Sequence, residues 1–223
     1  MKENFGLYMV MTDPVVGYEA CAQAAVNCGL RYVQLRIKNA PRATILAEAR
    51  KVRAVTAGTQ TLFIMNDDVE LAWAADADGV HLGQGDLPLD EARKLWSAPG
   101  KIFGLSTHSE AQELAARALK PDYIGVGPVF PTPTKAIADP ALGIERAGNI
   151  IKNSPLTCVA LGGLDETNLA DALKAGATNF CAVRAIMQSP EPEKVIRTLQ
   201  QIWGTGLPQM FQYSGGVPSF KAL

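Results

Sequence analysis

The stretch Tyr32-Val33-Gln34-Leu35-Arg36-Ile37-Lys38 decides the fold. It begins as an apolar strand and ends in charge. Gln34, Arg36 and Lys38 alternate with Leu35 and Ile37, so a strand through Ile37 carries the polar residues on one side. Uncompensated charge inside a core is costly. An edge strand tolerates such a file of exposed charges, but a closed barrel has no edge. There the file calls for a ligand bearing negative charge. A helical pattern over 41–57, opened by Pro41, follows at once.

The same layout recurs along the chain. Short, nearly continuous apolar runs lie at Leu7–Thr12, Tyr32–Ile37, Leu62–Met65, Gly79–Leu82, Ile102–Ser106, Tyr123–Val129, Leu156–Leu161 and Asn179–Val183. They read as parallel strands covered on both faces. Helical patterns alternate with them over 17–28, 41–57, 68–75, 88–97, 109–119, 142–153, 165–175 and 191–202. Ser109 and Asp165 are candidate N-caps, and Gly29, Gly58 and Gly176 stand where helices should stop. Eight strand–helix pairs predict an α/β fold of one domain, a (β/α)8 TIM barrel over residues 1–203. The rival is an open doubly wound sheet, but no G-x-G-x-x-G follows the first strand. Phe130–Leu142 is long for a βα loop, as functional lids often are. Residues 204–223 read as a tail, packed on the surface or partly disordered.

Composition narrows the function. The 223 residues carry a net charge of −1 and no dense basic cluster, which argues against nucleic acid as a partner. No apolar run reaches the roughly 18–20 residues of a membrane span, and Met1–Phe5 lacks the apolar core of a signal peptide. The expectation is a soluble cytoplasmic protein. Cys21, Cys28, Cys158 and Cys181 form no C-x-x-C pair and read as small buried hydrophobes of a reducing compartment.

In a barrel of parallel strands the C-terminal strand ends open onto one face, so residues scattered in sequence meet in one pocket. Asn66-Asp67-Asp68 follows the third strand and Asp86 the fourth. Neighbouring strand ends lie about 5 Å apart, so Asp67 and Asp86 can share a cation. Mg2+ typically takes one or two carboxylates and completes its shell with water and phosphate oxygens. Helix capping and turn formation are the competing roles for these aspartates. Gly162-Gly163 after the seventh strand lets a phosphate approach the backbone. Arg184 at the end of the eighth strand would point toward the same phosphate. Thr132 and Thr134 with Lys135 offer hydroxyls and an ammonium from the lid loop. Of the two histidines, His81 lies within a strand and reads as a packing or core hydrogen-bonding residue. His108 ends the fifth strand, within reach of the pocket.

Taken in order, these motifs resemble the thiamine-phosphate synthase family. They are Tyr8–Asp13 with Q-L-R-x-K at 34–38, N-D at 66–67, G-V-H-L-G-Q-x-D at 79–86, G-L-S-T-H at 104–108, G-P-V-F-P-T-x-T-K at 127–135 and Gly162-Gly163. The resemblance spans about residues 6–200. It implies the joining of 4-amino-2-methyl-5-hydroxymethylpyrimidine diphosphate to a thiazole phosphate, with release of pyrophosphate. Carried over by position, Gln34 would contact the pyrimidine, Arg36, Lys38 and Lys135 the diphosphate, and Asn66 and Ser106 the same substrate. Asp67 and Asp86 would bind Mg2+. Thr132, Thr134, Gly163 and the backbone at Val183 and Arg184 would hold the thiazole phosphate. The implied pathway is dissociative, with pyrophosphate leaving first. One departure stands out: Ser is common in the family where this chain has Arg184. A thiazole tautomerase relative and a non-catalytic phosphate-ligand-binding barrel are the alternatives. Arg36, Lys38, Asp67 and Asp86 together argue against the tautomerase, which needs no diphosphate or metal pocket. The sequence leaves room for a homo-oligomer.

Overall fold

The computed structural model describes residues 2–132 and 140–206. Its strands are β1 (Leu7–Met11), β2 (Tyr32–Leu35), β3 (Leu62–Asn66), β4 (Gly79–Leu82), β5 (Ile102–Thr107), β6 (Tyr123–Val126), β7 (Cys158–Ala160) and β8 (Phe180–Ala182). All pair in parallel, each with the next, and β8 returns to β1 to close the barrel. Around them lie α1 (Tyr18–Asn27), α2 (Arg42–Thr56), α3 (Val69–Ala74), α4 (Leu89–Leu95), α5 (Glu110–Leu119), α6 (Ile144–Asn153), α7 (Leu169–Lys174), α8 (Arg184–Met187) and α9 (Pro192–Gly206). The (β/α)8 reading of the sequence is correct.

Each strand serves two cores, because its side chains alternate between faces. Leu7, Met9 and Met11 of β1 pack outward with Val33, Leu35, Phe63 and Met65 against the helices. Tyr8 and Val10 point the other way and join Tyr32, Ile64, Tyr123, Val159 and Cys181 inside the barrel. This double burial explains why the strands read as continuous apolar runs.

Local signals set most helix boundaries. The Ser109 side chain accepts from Gln112 N–H to cap α5, and the Asp68 carboxylate accepts from Leu71 N–H to cap α3. Gly29, Gly58 and Gly176 have positive φ where α1, α2 and α7 stop. Several elements differ from the sequence reading. Helix α7 starts at Leu169, because the Asp165 carboxylate folds a turn by accepting from Thr167 N–H and Oγ1. Helix α8 was not foreseen, since four residues carry no readable period. Helix α9 runs to Gly206, past the boundary expected at 203. Residues 207–223 of the expected tail lie outside the described residues.

All four cysteines are free thiols. Cys21, Cys158 and Cys181 are buried as expected, whereas Cys28 is only partly covered and its thiol lies 3.8 Å from the Glu193 carbonyl. Among the described residues no helix is long and apolar enough to cross a membrane.

The N-terminal end of the barrel is closed by residues 3–6. The Phe5 ring packs edge-on against Tyr32 at 4.7 Å. Asn179, 1% exposed, ties this segment down. Its Oδ1 accepts from Phe5 N–H (2.7 Å) and Gly6 N–H (3.0 Å), and its Nδ2 donates to Glu3 O (2.8 Å) and Cys158 O (3.1 Å). Asn179→Ala would leave several of these groups without a partner at a buried site. We expect a loss of about 3 kcal/mol in unfolding free energy, read from the urea midpoint. An unchanged midpoint would show that the segment does not help hold the barrel closed.

Candidate active site

A cavity of about 650 Å3 opens at the C-terminal mouth of the barrel. Inward parity places its floor. Gln34 and Arg36 come from β2 and its extension, Asn66 from β3, His81 from β4 and Ser106 from β5. Across the mouth lie Thr132, Gly162, Gly163, Val183 and Arg184. The structure therefore brings eight of the sequence-derived candidates into one cavity: Gln34, Arg36, Asn66, Ser106, Thr132, Gly163, Val183 and Arg184. Thr134 and Lys135 lie outside the described residues.

The file on β2 is shorter than the alternation suggested. The strand ends at Leu35, and Arg36 N–H makes one further ladder bond to Met11 O at 2.9 Å. Gln34 is buried, its Nε2 donating to the Tyr8 hydroxyl at 2.9 Å. The Arg36 guanidinium reaches Thr12 Oγ1 at 3.4 Å. Lys38 lies past the strand, half-exposed, and pairs with the Asp67 carboxylate. Once the ladder ends, strand parity no longer dictates where a side chain points, so Lys38 joins the rim instead of the floor.

That rim holds three charges. Asp67 leaves β3 with φ of +63°, a left-handed conformation that Asp tolerates better than most residues. Its N–H still donates to His81 O at 2.8 Å, while its side chain turns to Lys38. Asp86 Oδ2 accepts from Gly83 N–H at 2.6 Å. Burial pushes the Asp86 carboxyl above the usual carboxylate range, the Gly83 bond opposes that, and the Asp67 carboxylate facing it pushes further upward. Two carboxylates against one ammonium leave a local charge of about −1 when all are ionised, which suits an added cation. Asp68, by contrast, is structural: it caps α3 and pairs with Arg42. Among the described residues no group of three or more His, Cys, Asp or Glu converges as a metal cage. A carboxylate pair with open positions is the Mg2+ type, in which water and substrate phosphates supply the other ligands.

The opposite end is made of backbone. Gly162 and Gly163 have φ of +101° and +68°. A Cβ on Gly163 would stand 2.8 Å from Phe130 Cβ, and one on Gly162 would stand 2.5 Å from Pro128 Cβ. The pair is thus required for packing under the β6 loop as well as for leaving the cavity open beside it. Asn168 Nδ2 donates to Gly163 O at 2.8 Å and steadies the turn. Arg184 starts α8 at the cavity edge.

The histidines divide as follows. His81 is buried, with Nδ1 3.0 Å from the Tyr123 hydroxyl and Nε2 2.9 Å from Ser106 Oγ. The core hydrogen-bonding role expected for it is what the structure shows, but its place at the cavity floor was missed. His108 Nδ1 donates to the Gly127 carbonyl at 2.6 Å, and the residue does not line the cavity. Sequence reasoning also passed over Tyr8 and Tyr123 as lining residues. Their inward parity was readable, but which partners meet across the barrel depends on its stagger.

A (β/α)8 barrel with guanidinium groups and a glycine turn after β7 at its mouth has the layout in which barrels of this fold often carry a phosphate site. The comparisons narrow this further. The family model described as thiamine monophosphate synthase matches residues 7–186, and the chain belongs to that family. It is 44% identical over 197 residues to a thiamine-phosphate synthase of Synechocystis sp., covering 88% of this chain and 57% of the relative. It is 37% identical to a putative thiamine-phosphate synthase of Geobacter sulfurreducens, covering 89% of this chain and 94% of that one. A thiamine phosphate pyrophosphorylase structure from Pyrococcus furiosus superposes with a TM-score of 0.82 at 30% identity, over 92% of this chain and 98% of the other. The chain spans a little over half the length of the cyanobacterial relatives, 57% and 54% for two of them.

The separate duties of Asp67 and Asp68 can be tested by stability alone. Asp68→Ala should lose about 1 kcal/mol through its cap, measured by urea unfolding. Asp67→Asn should change stability by less than half as much. Equal losses would contradict the division.

Proposed function

We propose that this protein joins 4-amino-2-methyl-5-hydroxymethylpyrimidine diphosphate to a thiazole phosphate, forming thiamine phosphate and pyrophosphate. One observation carries the reading. A single cavity has Gln34, Arg36 and Asn66 on the β2–β3 side and a glycine turn beside Arg184 on the other, while the Lys38–Asp67 pair and the Asp86 carboxylate facing it stand at the ends of β2–β4, outside its lining. Two anionic substrates can lie there with their reacting ends toward each other.

In this reading the residues have separate tasks. Gln34 is anchored through Nε2 to Tyr8, so its carbonyl oxygen is the end offered to the pyrimidine amine. Asn66 and Ser106 line the same side. Arg36 and Lys38, with Lys135 of the β6 loop, face the diphosphate. Asp67 and Asp86 would hold Mg2+, which supplies charge neutralisation to the leaving diphosphate. Thr132, Thr134, Gly163 and the backbone at Val183 and Arg184 bind the thiazole phosphate through hydroxyl and N–H donors. Arg184 adds a guanidinium there, with longer reach than a Ser would have.

The hard step is breaking the carbon–oxygen bond to the diphosphate. Negative charge grows on the departing oxygens while the aminopyrimidine spreads the positive charge left behind. Cations aimed at that oxygen gain most in the transition state. The thiazole nitrogen is already a nucleophile, so no strong general base is needed. His108, tied to Gly127, is then no loss to the chemistry. A cytoplasmic location suits such a biosynthetic activity.

Mixing the protein with both substrates and Mg2+ should release pyrophosphate in step with thiamine phosphate. A tautomerase or a binding protein would release none. In single turnover with both substrates saturating, Lys135→Ala should be slower by on the order of 10²–10³. A rate within a few-fold of wild type would remove Lys135 from the leaving-group role.

The raised Asp86 carboxyl sets a pH dependence. Mg2+ and a proton compete for it, so apparent Mg2+ affinity should fall as pH drops through that raised value, before ordinary carboxylates titrate. Mg2+-dependent shifts in Tm followed as pH is lowered would show this, and Asp86→Asn should abolish them. A pH-independent affinity would remove Asp86 from the cation site.

A further inference from the structure

Five side chains from five strands form one continuous hydrogen-bond chain across the barrel interior. Gln34 Nε2 lies 2.9 Å from the Tyr8 hydroxyl, and that hydroxyl is 2.6 Å from the hydroxyl of Tyr123. The Tyr123 hydroxyl is 3.0 Å from His81 Nδ1, and His81 Nε2 is 2.9 Å from Ser106 Oγ. All five residues are buried. The slot is built for them. A Cβ on Gly104 would stand 2.2 Å from Tyr123 Cζ and 2.6 Å from His81 Nδ1, so only glycine leaves room for the stacked pair.

Proton counting gives this chain a direction. The Gln34 amide nitrogen can only donate. The Tyr8 oxygen accepts from it, and the Tyr8 proton then goes to its other partner, Tyr123. The Tyr123 proton, turned away from Tyr8, goes to His81 Nδ1. Burial holds both phenols protonated by pushing their pKa values up, so neither link is lost at neutral pH. With Nδ1 accepting, the neutral imidazole carries its proton on Nε2. That proton goes to Ser106 Oγ, whose own hydroxyl proton is then directed into the cavity.

We propose that Tyr8, Tyr123 and His81 are positioning residues that fix His81 as the Nε2–H tautomer and so present the Ser106 hydroxyl as a hydrogen-bond donor to the pyrimidine diphosphate. The last clause rests on the functional reading above; the tautomer does not. Without the chain, His81 can turn its bare nitrogen toward Ser106, draw the serine proton to itself and leave the ligand facing lone pairs.

The test uses the protein with 15N-labelled histidine and no ligand. The chain has two histidines, which gives an internal contrast. His108 must hold its proton on Nδ1 to donate to the Gly127 carbonyl, so the two rings should show opposite tautomers in long-range NMR spectra, assigned with His108→Gln. Tyr123→Phe keeps the ring and removes the proton that His81 Nδ1 accepts; the Nε2–H form should lose its dominance. Tyr8→Phe, one link further back, should act in the same direction and serves if Tyr123→Phe proves unstable. A wild-type His81 in the Nδ1–H form, or a tautomer unmoved in both variants, overturns the proposal. In turnover, Tyr123→Phe should lower kcat at least about tenfold and leave KM for the thiazole phosphate unchanged. His81→Gln, which keeps a donor where Nε2 stood, should retain more activity than His81→Leu. Equal activity of those two variants overturns the presentation of Ser106. Nε2–H in a protein that makes no thiamine phosphate would support the tautomer and overturn the activity instead.

Discussion

Closure of the barrel is the constraint on which the rest depends. Once β8 pairs with β1, no strand has an edge on which to place a polar side chain in water. Every inward residue must pack, find a polar partner, or rise to the mouth. Tyr8, Tyr32, Ile64, Val159 and Cys181 pack. Gln34, Tyr123, His81 and Ser106 are joined through the Tyr8 hydroxyl into one hydrogen-bonded chain. Arg36 and Asn66 come out at the mouth, where a ligand can complete them. The polar floor and the charged rim are two answers to the same requirement.

The mouth divides its charge by end. On the β2–β4 side Asp67 pairs with Lys38 and faces Asp86, and Arg36 lines the cavity. On the β6–β8 side the cavity is lined by the glycine turn, Thr132 and Arg184.

Much of this was legible in the sequence, for identifiable reasons. Strands buried on both faces leave continuous apolar runs, and each of the eight runs overlaps an observed strand. The polar residues that end those runs mark the mouth. What failed to show had physical causes. Lys38 follows the alternation of Gln34 and Arg36, but β2 ends at Leu35 and the lysine turns to Asp67. Helix α8 is too short to carry a period. The link from Tyr8 to Tyr123 joins residues 115 apart in sequence, brought together by barrel stagger that local pattern does not encode. The family resemblance supplied the ligands, which no periodicity reveals.

In the proposed reaction the barrel mouth holds two anions at separate ends. Crystals grown with thiamine phosphate, Mg2+ and pyrophosphate test it most directly. Pyrophosphate should lie on Arg36 with the metal between Asp67 and Asp86, and the thiamine phosphate anion on the Gly163 turn beside Arg184. Both anions at the glycine end, or pyrophosphate bound without contact to Arg36 or the carboxylate pair, would contradict it.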